Sequence, residues 1–290
     1  MIRDLQTAAT DSQQWTLIIR PRRPWFDLRL GELWHARDLV LLFVRRDFVA
    51  GYKQTVLGPL WYLLQPLMTT LTFTLVFGRI ARLPTDGLPP FLFYMAGTVV
   101  WGYFAGCLNR TSNTFAANAG LFGKVYFSRL AVPVSNLISN LISFAIQFVL
   151  FLGFLLYYWL AGAAVRPSAT ILLLPVLLFI MAGLGLGVGI VVSSLTTRYR
   201  DLQNLVGFGT QLLMYATPII YPASAVPDRY RLLIQANPMT AIVETFREAF
   251  LGSGTVSVGG LLYSLAVMLV LLAVGLLLFN RVEQTFMDTV

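Results

Sequence analysis

Charge, cysteine and histidine are all scarce in this chain of 290 residues. Charged side chains make up 12% of the sequence, and 57% of the residues are hydrophobic. A soluble domain carries about 25% charged residues, so roughly half of the usual water-facing charge is missing. So few charges cannot cover the surface of globular domains, and the chain therefore needs lipid as a solvent. This excludes a soluble enzyme, a nucleic-acid-binding module and a disordered scaffold.

The single cysteine, Cys107, and the single histidine, His35, narrow the possible chemistry further. One cysteine cannot form an intrachain disulfide, and the pair cannot supply a zinc site. A catalytic triad or a Cys-His pair would need His35, which lies in a charged stretch far from Cys107 in sequence. We predict that Cys107 is an apolar packing residue.

Six long uncharged runs predict an all-α integral membrane protein with six transmembrane helices, because about 20 residues cross the hydrocarbon layer. Residues 1–59 are predicted to be a cytoplasmic N-terminal region, and residues 60–290 a six-span transmembrane domain. The predicted spans are Leu60–Phe77, Leu88–Leu108, Leu137–Leu160, Ile171–Leu195, Leu205–Tyr221 and Gly260–Phe279.

The basic residues predict the orientation of these spans. With a cytoplasmic N-terminus, the inside segments hold 15 Lys and Arg residues and the outside segments hold 6. Basic residues concentrate on the cytoplasmic side of membrane proteins, so both termini are predicted to lie inside. This bias, with attraction to anionic lipid, accounts for the net charge of +8 without a nucleic acid partner.

Residues 34–53 are predicted to form an amphipathic helix at the cytoplasmic interface. At about 100° per residue, most of the charged residues fall within an arc of about 100°, and most large apolar residues lie elsewhere. The alternative is a soluble helix packed on other cytoplasmic segments. The charged arc consists of His35, Asp38, Arg45, Arg46 and Lys53.

No ionisable Asp, Glu, Lys, Arg or His lies inside the six predicted spans. Ion-coupled transporters and intramembrane enzymes usually place such groups at membrane depth, so both classes are disfavoured. The nearest approach to a phosphate loop is Gly120–Val125, but a Walker A loop needs Gly at the position of Asn118 and Ser or Thr at that of Val125. We therefore expect no catalytic residues, metal or cofactor in this chain, and uphill transport would need a separate nucleotide-hydrolysing subunit.

The segment 113–133, between the second and third spans, carries basic residues but no acid. Lys124 and Arg129 lie among apolar side chains, and a short cytoplasmic helix with aromatics beside a base suits insertion into a partner's cleft. An interfacial loop resting on lipid is the alternative. The apolar side chains are Leu121, Phe122, Val125, Tyr126 and Phe127.

Two predicted spans carry amides and aromatic rings at helical spacing on one face. Such a wall suits a hydroxyl-rich chain, because rings stack on sugars and amides exchange hydrogen bonds with hydroxyls. Helix packing is the alternative, and we favour packing for a third stripe at Asn136, Asn140, Ser143 and Gln147. The first-span stripe is Tyr62, Gln65, Thr69 and Phe73, and the fifth-span stripe is Asn204, Phe208, Gln211, Tyr215 and Pro218.

Three further patterns concern packing and helix ends. Gly183, Gly185, Gly187 and Gly189 predict close helix packing in the fourth span, and Trp101 is interpreted as a membrane-interface anchor. Asn237-Pro238 and Gly252 predict the start and stop of a short helix outside the membrane core. That helix either rests at the interface or closes the exit of a conduit, and its apolar residues include Ile242, Phe246 and Phe250.

Several motifs together resemble the permease subunits of ABC-2 type exporters that move lipid-linked polysaccharides such as O-antigen, capsule or teichoic acid. The resemblance covers nearly the whole chain, with Ser128 standing where the family commonly has Pro. The motifs are Tyr52–Trp61, Gln65-Pro66, Lys124–Phe127, Arg198–Asp201, Tyr221-Pro222 and Asn237–Met239.

The resemblance implies a homodimer in the bacterial inner membrane, bound to two nucleotide-binding ATPase subunits that hold ATP and Mg. The expected substrate is an undecaprenyl-linked polysaccharide; the alternatives are an ABC-2 exporter of a small lipid or drug and a membrane enzyme acting on lipid-linked sugar. Spans one and five would line the conduit, and the helix near residues 237–252 would form an external gate. Arg45, Arg46 and Lys53 are the candidates to meet the lipid diphosphate; the alternative is that they pair with Asp38, Asp47 and lipid headgroups. The implied coupling residues are Gly120, Leu121, Phe122, Lys124, Val125, Tyr126, Phe127 and Arg129.

Overall fold

The computed structural model describes residues 30–53, 56–122, 127–196 and 201–289, and the chain is helical throughout these ranges with no β-strand. The predicted division at residue 59 stays a prediction, since residues 1–29 lie outside the described part. The helices are α1 Leu30–His35, α2 Arg37–Tyr52, α3 Trp61–Phe73, α4 Pro90–Ser112, α5 Thr114–Phe122, α6 Ala131–Leu160, α7 Leu174–Thr196, α8 Leu202–Tyr215, α9 Asp228–Gln235, α10 Pro238–Leu251 and α11 Val258–Thr289.

Five helical segments in the described ranges are long and apolar enough to cross a membrane. They confirm five of the six predicted spans, with ends shifted by a few residues. Short 3₁₀ turns extend the first and fourth at their starts, and a π-helical turn continues the first beyond Phe73. The segments are Gly58–Ile80, Pro90–Ser112, Ala131–Leu160, Ala169–Thr196 and Val258–Val282.

The predicted fifth span, Leu205–Tyr221, is replaced by the shorter helix α8. Its 14 residues extend about 21 Å, less than the hydrocarbon thickness of about 30 Å. The chain then leaves the helix and continues through turns, with Thr217–Ile220 buried. The predicted end of this span at Tyr221 is therefore wrong, and the count of six spans stays a prediction.

Helix α4 lies at the centre of the bundle and packs against α3, α6, α7, α8 and α10. Glycines of α7 permit the closest approaches, as predicted. A Cβ at Gly185 would lie 2.7 Å from Cys107 Cβ on α4, and one at Gly187 would lie 2.9 Å from Leu271 Cβ on α11. Residues two apart on a helix point in nearly opposite directions, so alternate glycines serve opposite neighbours. Cys107 is fully buried in this interface, which confirms its predicted packing role.

Helix α10 begins and ends where the sequence predicts. The Asn237 side chain accepts a hydrogen bond from the Met239 N–H at 3.0 Å, and Gly252 closes the helix with a φ of +70°. The helix packs into the bundle against α4, α7 and α11, and most of its side chains are buried. Helix α10 is therefore part of the core, and it is too short to span a membrane.

Helix α2 covers most of the predicted amphipathic helix, with a break at Ala36. Val40, Phe43 and Val44 are buried in a second apolar cluster that also contains Phe115 of α5, whereas Leu41 is exposed. The helix thus packs on protein through one face. Its predicted interfacial position stays a prediction.

Candidate functional site

A groove of about 520 Å³ lies between α3, α4, α6 and α8. We call this space the groove throughout. Its walls combine five aromatic rings with amides and hydroxyls. The lining residues are Tyr62, Gln65, Pro66, Thr69, Phe73, Thr98, Trp101, Gly102, Tyr103, Ala105, Gly106, Asn109, Arg110, Asn140, Ser143, Phe144, Gln147, Gln211 and Met214.

The α3 wall consists of the predicted first-span stripe. Tyr62, Gln65, Thr69 and Phe73 all line the groove, because spacings of three and four keep them on one helical face. The Thr69 hydroxyl donates to the Gln65 backbone carbonyl at 3.0 Å, and the Gln65 side chain is exposed. The helix face predicted from sequence is therefore the face that borders the groove.

Fewer α8 residues line the groove than the sequence predicts. Gln211 lines the groove, and its amide lies 3.4 Å from the Tyr215 hydroxyl. Phe208 and Tyr215 do not border the groove and are exposed on the outer surface of the described chain, at 63% and 46%. Of the predicted α8 residues Phe208, Gln211 and Tyr215, Gln211 alone lines the groove of a single subunit.

The α6 wall contains a stripe that the sequence analysis assigned to packing. Asn140, Ser143 and Gln147 line the groove, so packing is not their only role. They face Gly102 and Gly106, one turn apart on α4. A Cβ at Gly106 would collide with the Asn140 side-chain oxygen, and one at Gly102 would lie 3.5 Å from Gln147 Oε1. Gly106 therefore accommodates the Asn140 side chain, and Gly102 leaves space in front of Gln147.

Trp101 also belongs to this wall. It is 6% exposed, lies in the middle of α4 and packs on Phe104 at 5.2 Å between ring centroids. The interpretation of Trp101 as an interface anchor is therefore wrong. A tryptophan buried beside a polar groove can instead offer its ring as a stacking surface.

Arg110 is the one charged side chain among the described residues that line the groove. It is exposed and lies one turn from the end of α4, while the Asn136 amide donates to its backbone carbonyl at 3.3 Å. The sequence analysis missed Arg110 because it falls just beyond the second predicted span. Its proximity to the polar stripe of α6 follows only from the packing of α4 on α6.

The predicted coupling region is only partly described, because Lys124, Val125 and Tyr126 lie outside the described residues. Phe122 is 2% exposed and packs on Phe115 and Phe127 at 5.9 and 5.7 Å, with the buried Arg129 guanidinium 5.6 Å from its ring. The rings of Phe122 and Phe127 therefore anchor α5 to the bundle.

The free side of α5 carries small side chains. Ala116, Ala117 and Gly120 are exposed, Leu121 is half-buried, and nothing lies within 4 Å of a Cβ at Gly120. The surface that α5 presents is thus smooth and uncharged. The coupling role of the predicted residues stays a prediction.

Two side-chain contacts connect this region to α8. The Gln203 amide donates to Asn113 Oδ1 at the junction of α4 and α5, and the Thr210 hydroxyl lies 3.4 Å from Asn109 Oδ1. Asn109 also lines the groove. A displacement of α5 therefore has a direct route to one groove wall.

The three cations expected at a lipid diphosphate do not line the groove of the single subunit. Arg46 pairs with Asp47 at 2.8 Å and its guanidinium lies 4.8 Å from the Phe43 ring centre. Arg45 and Lys53 are exposed on α2 and at its end. Their role stays a prediction about the membrane surface.

The predicted gate residues lie in the core beyond the groove. Ile242 and Phe246 are fully buried and Phe250 is 3% exposed. Phe246 and Phe250 pack on Phe148 and Phe151 of α6 with centroid distances between 5.3 and 6.3 Å. We call these four rings the aromatic layer. A gate at this place would be closed in the described structure, and the gate role stays a prediction.

A buried ion pair accompanies the aromatic layer. Arg247, 1% exposed, and Glu244, 5% exposed, approach to 3.4 Å on α10. Burial raises the pKa of the Glu244 carboxyl, and Arg247 and a backbone N–H of Ala223 oppose that rise. Burial lowers the pKa of Arg247 to about 10, which leaves it charged at neutral pH. The short helix was predicted to lie outside the membrane core, so a buried ion pair on it was not expected.

The groove is polar, and none of its described lining residues is acidic. The buried ion pair of Glu244 and Arg247 lies outside it. A polar groove of this kind among apolar helices is typical of a membrane transport subunit. The profile of the ABC-2 type transporter family matches residues 38–251, well over half of the chain. The chain therefore belongs to the ABC-2 type transporter family, which confirms the resemblance.

The alignments with curated relatives cover nearly the whole length of each relative. The O-antigen export system permease protein RfbA of Klebsiella pneumoniae is 27% identical over 252 residues, covering 87% of this chain and 94% of the relative. The RfbA protein of Myxococcus xanthus is 26% identical over 264 residues, covering 89% and 98%. The polysialic acid transport protein KpsM of Escherichia coli is 27% identical, covering 84% and 93%. These permeases agree with the predicted transport role and inner-membrane localisation.

Proposed function

We propose that this chain is the permease subunit of an ABC exporter that moves an undecaprenyl-linked, O-antigen-like polysaccharide across the bacterial inner membrane. The observation that carries the proposal is the groove, in which five aromatic rings alternate with amides and hydroxyls and no described lining residue is acidic. Aromatic faces stack on sugar rings, and uncharged amides exchange hydrogen bonds with hydroxyls without holding them as strongly as ions do. The polysaccharide-export names of the relatives favour this substrate over a small lipid or drug.

The groove of one subunit is open on the side where α3 and α8 end the bundle. Trp61 and Met68 of α3, and Leu205, Phe208 and Leu212 of α8, are exposed there. A second copy that covers these faces would complete a closed conduit and bury the apolar side chains. In that homodimer Phe208 and Tyr215 would come to the conduit from their present outward positions.

The energy source is proposed to be a separate pair of ATPase subunits that bind ATP and Mg. The exposed side of α5, together with Lys124, Val125 and Tyr126, is the proposed docking surface. The contact between Gln203 and Asn113, and that between Thr210 and Asn109, support transmission from α5 to the groove wall.

The phosphate end of a lipid-linked glycan needs a cation near the groove entrance. Arg110 is placed to supply this cation, because it lines the groove near the end of α4 that the charge count predicts to be cytoplasmic. Arg45, Arg46 and Lys53 remain proposed contacts at the membrane surface before entry.

Purification of the complex from its native membrane tests the proposal. We expect a nucleotide-binding subunit to copurify, and mass analysis to find glycan on a polyprenyl diphosphate. Substitution of Lys124 and Tyr126 by alanine should leave membrane insertion intact but uncouple ATP hydrolysis from export. Turnover of lipid-linked sugar by the purified chain alone would instead indicate a membrane enzyme, and a bound small lipid or drug without glycan would indicate the other exporter class.

A further inference from the structure

Arg247 contacts three parts of the chain through the ends of its guanidinium, although its buried Nε has no hydrogen-bond partner among the described residues. Its Nη1 donates to the Pro218 carbonyl and its Nη2 to the Ile219 carbonyl at 2.7 Å. The guanidinium lies 3.7 Å from the Phe93 ring centre of α4, and Glu244 supplies the opposite charge at 3.4 Å. One side chain thus connects α10, α4 and the chain that follows α8.

The carbonyls that Arg247 binds belong to the turns after the end of α8. Carbonyls in turns lack the partners that regular secondary structure supplies, and burial of such groups is costly unless a donor is supplied. The Asn237 amide adds a second tie by donating to the Thr217 hydroxyl at 2.8 Å. The segment Ala216–Tyr221 is therefore joined to α10 at both the start and the middle of that helix. We call this arrangement the joint.

The contacts of α10 with α6 are of a different kind. They consist of the aromatic layer, in which Phe246 and Phe250 pack on Phe148 and Phe151. Rings can slide past one another while they stay in apolar surroundings. Separating a buried guanidinium from a carboxylate and two carbonyls leaves charged and polar groups without partners, so the joint resists opening far more than the aromatic layer does.

The aromatic layer also lies at one end of the groove. Gln147 lines the groove and precedes Phe148 directly, and the end of α6 beyond Phe148 is predicted to face the outside. Thr98 marks the same end on α4, next to Gly97, whose Cβ would lie 3.1 Å from Arg247 Nη2. Joint and aromatic layer are thus side by side where the groove ends.

We propose that Arg247 is a positioning residue that unites the end of α8, α10 and the start of α4 in one rigid unit, so that the groove opens at its outer end between this unit and α6. The inference rests on the proposed export function. It places the moving seam at the aromatic layer and at the Phe91–Phe154 ring contact between α4 and α6. It excludes separation of α8 from α10 as the opening step.

Two crosslinks in a chain with Cys107 replaced by alanine test the proposal in cells that carry the whole exporter. T217C with N237C bridges the joint, and F148C with F250C bridges the seam; a short bifunctional thiol reagent is added and surface glycan is measured. Crosslinking across the joint should leave export within about twofold of the untreated cells, whereas crosslinking across the seam should abolish it. Loss of export from the joint pair, or full export from the seam pair, would overturn the proposal.

Uncrosslinked cells separate this inference from the proposed function. If the parent chain supports no glycan export, the proposed function fails; if the parent exports and the crosslinks behave otherwise than expected, only the inference fails. Should a cysteine pair impair folding, F151C with F250C replaces the seam pair, since those rings are 5.9 Å apart.

Arg247→Lys supplies a readout that a purely structural role would not move. Lysine keeps the charge but lacks the planar fork that binds two carbonyls. We expect a correctly inserted exporter that hydrolyses several-fold more ATP per glycan exported. An unchanged ratio of ATP hydrolysis to export in Arg247→Lys would contradict a positioning role.

Discussion

Polar side chains serve opposite purposes in two neighbouring regions of this bundle. The groove holds uncharged amides and hydroxyls around open space, whereas the joint holds an ion pair that is almost wholly buried. In the groove the side-chain oxygens of Asn140 and Gln147 face glycines. In the joint the Arg247 donors are directed at fixed carbonyls. The groove walls are thus mainly neutral polar groups, with Arg110 as the one charge among the described lining residues, whereas the joint is built around a buried ion pair.

Helix α4 contributes to both regions through glycines at different heights. Gly102 borders the groove with only Gln147 Oε1 near its Cβ position, whereas Gly97 is in close contact with Ile219 and the Arg247 guanidinium. The same residue type therefore provides space in one place and close contact in the other. Substitutions at these α4 glycines can therefore test open space and close contact separately.

Arg247→Met should produce the largest loss of stability. It leaves Glu244 buried without its cation and removes the donors to Pro218 and Ile219, and loss of one partner of a buried ion pair costs about 3–5 kcal/mol. SDS titration of the purified protein in mixed micelles measures the free energy of unfolding.

Adding Glu244→Gln to the Arg247→Met variant should recover part of this loss, because the uncompensated charge is removed. A double variant that is less stable by the full sum of both single changes would show that the pair is not coupled. That result would remove the distinction between joint and groove.

Gly97→Ala and Gly102→Ala form a matched pair with a smaller effect. A Cβ at Gly97 would lie 2.8 Å from Ile219 Cγ2 and 3.3 Å from its Cα, whereas one at Gly102 meets only Gln147 Oε1 at 3.5 Å. Overpacking costs about 1–3 kcal/mol, so Gly97→Ala should lower the free energy of unfolding by about that amount. Gly102→Ala should be neutral or slightly stabilising, since alanine favours the helix. Equal losses would show that the groove is as tightly packed as the joint.

Local signals explain which parts of this structure could be predicted from the sequence. The α3 stripe depends on helical spacing alone, and the ends of α10 depend on Asn237 and Gly252, so all of these were predicted correctly. The end of α8 was not predicted correctly, because the apolar Ile219 and Ile220 continue the hydrophobic run beyond the end of the helix. They leave the helix where Arg247, distant in sequence, binds the Pro218 and Ile219 carbonyls.

The packing role predicted for the α6 stripe is incomplete for a related reason. The stripe has the same spacing as that of α3, but spacing does not say which neighbour a face meets. Gly102 of α4 leaves space in front of Gln147, whereas Gly106 is in close contact with Asn140. Burial of Glu244 and Arg247 was likewise not predictable from α10 alone, since each is costly to bury without the other.

Gln147→Leu should change export far more than stability. The side chain lines the groove, so an apolar replacement of similar volume removes a hydrogen-bonding group from the path and leaves the packing nearly unchanged. We expect surface glycan to fall several-fold while the free energy of unfolding stays within about 0.5 kcal/mol. Leu150→Gln, on the same helix but outside the groove, is the control for membrane insertion. Unchanged glycan export in Gln147→Leu would return the α6 stripe to packing.

Arg110→Gln should have the smallest effect on stability and a selective effect on the substrate. Arg110 is exposed, so its loss should alter the free energy of unfolding by less than about 0.5 kcal/mol. If Arg110 meets the phosphate end of the lipid-linked glycan, binding of a polyprenyl diphosphate glycan to the purified exporter should weaken about tenfold, and Arg110→Lys should retain part of it because a point charge remains. Arg79→Gln, which removes an exposed cation outside the groove, is the matched comparison. Equal binding by Arg110→Gln and the parent would leave the groove a purely neutral path, and recognition of the phosphate would then belong to the membrane surface around α2.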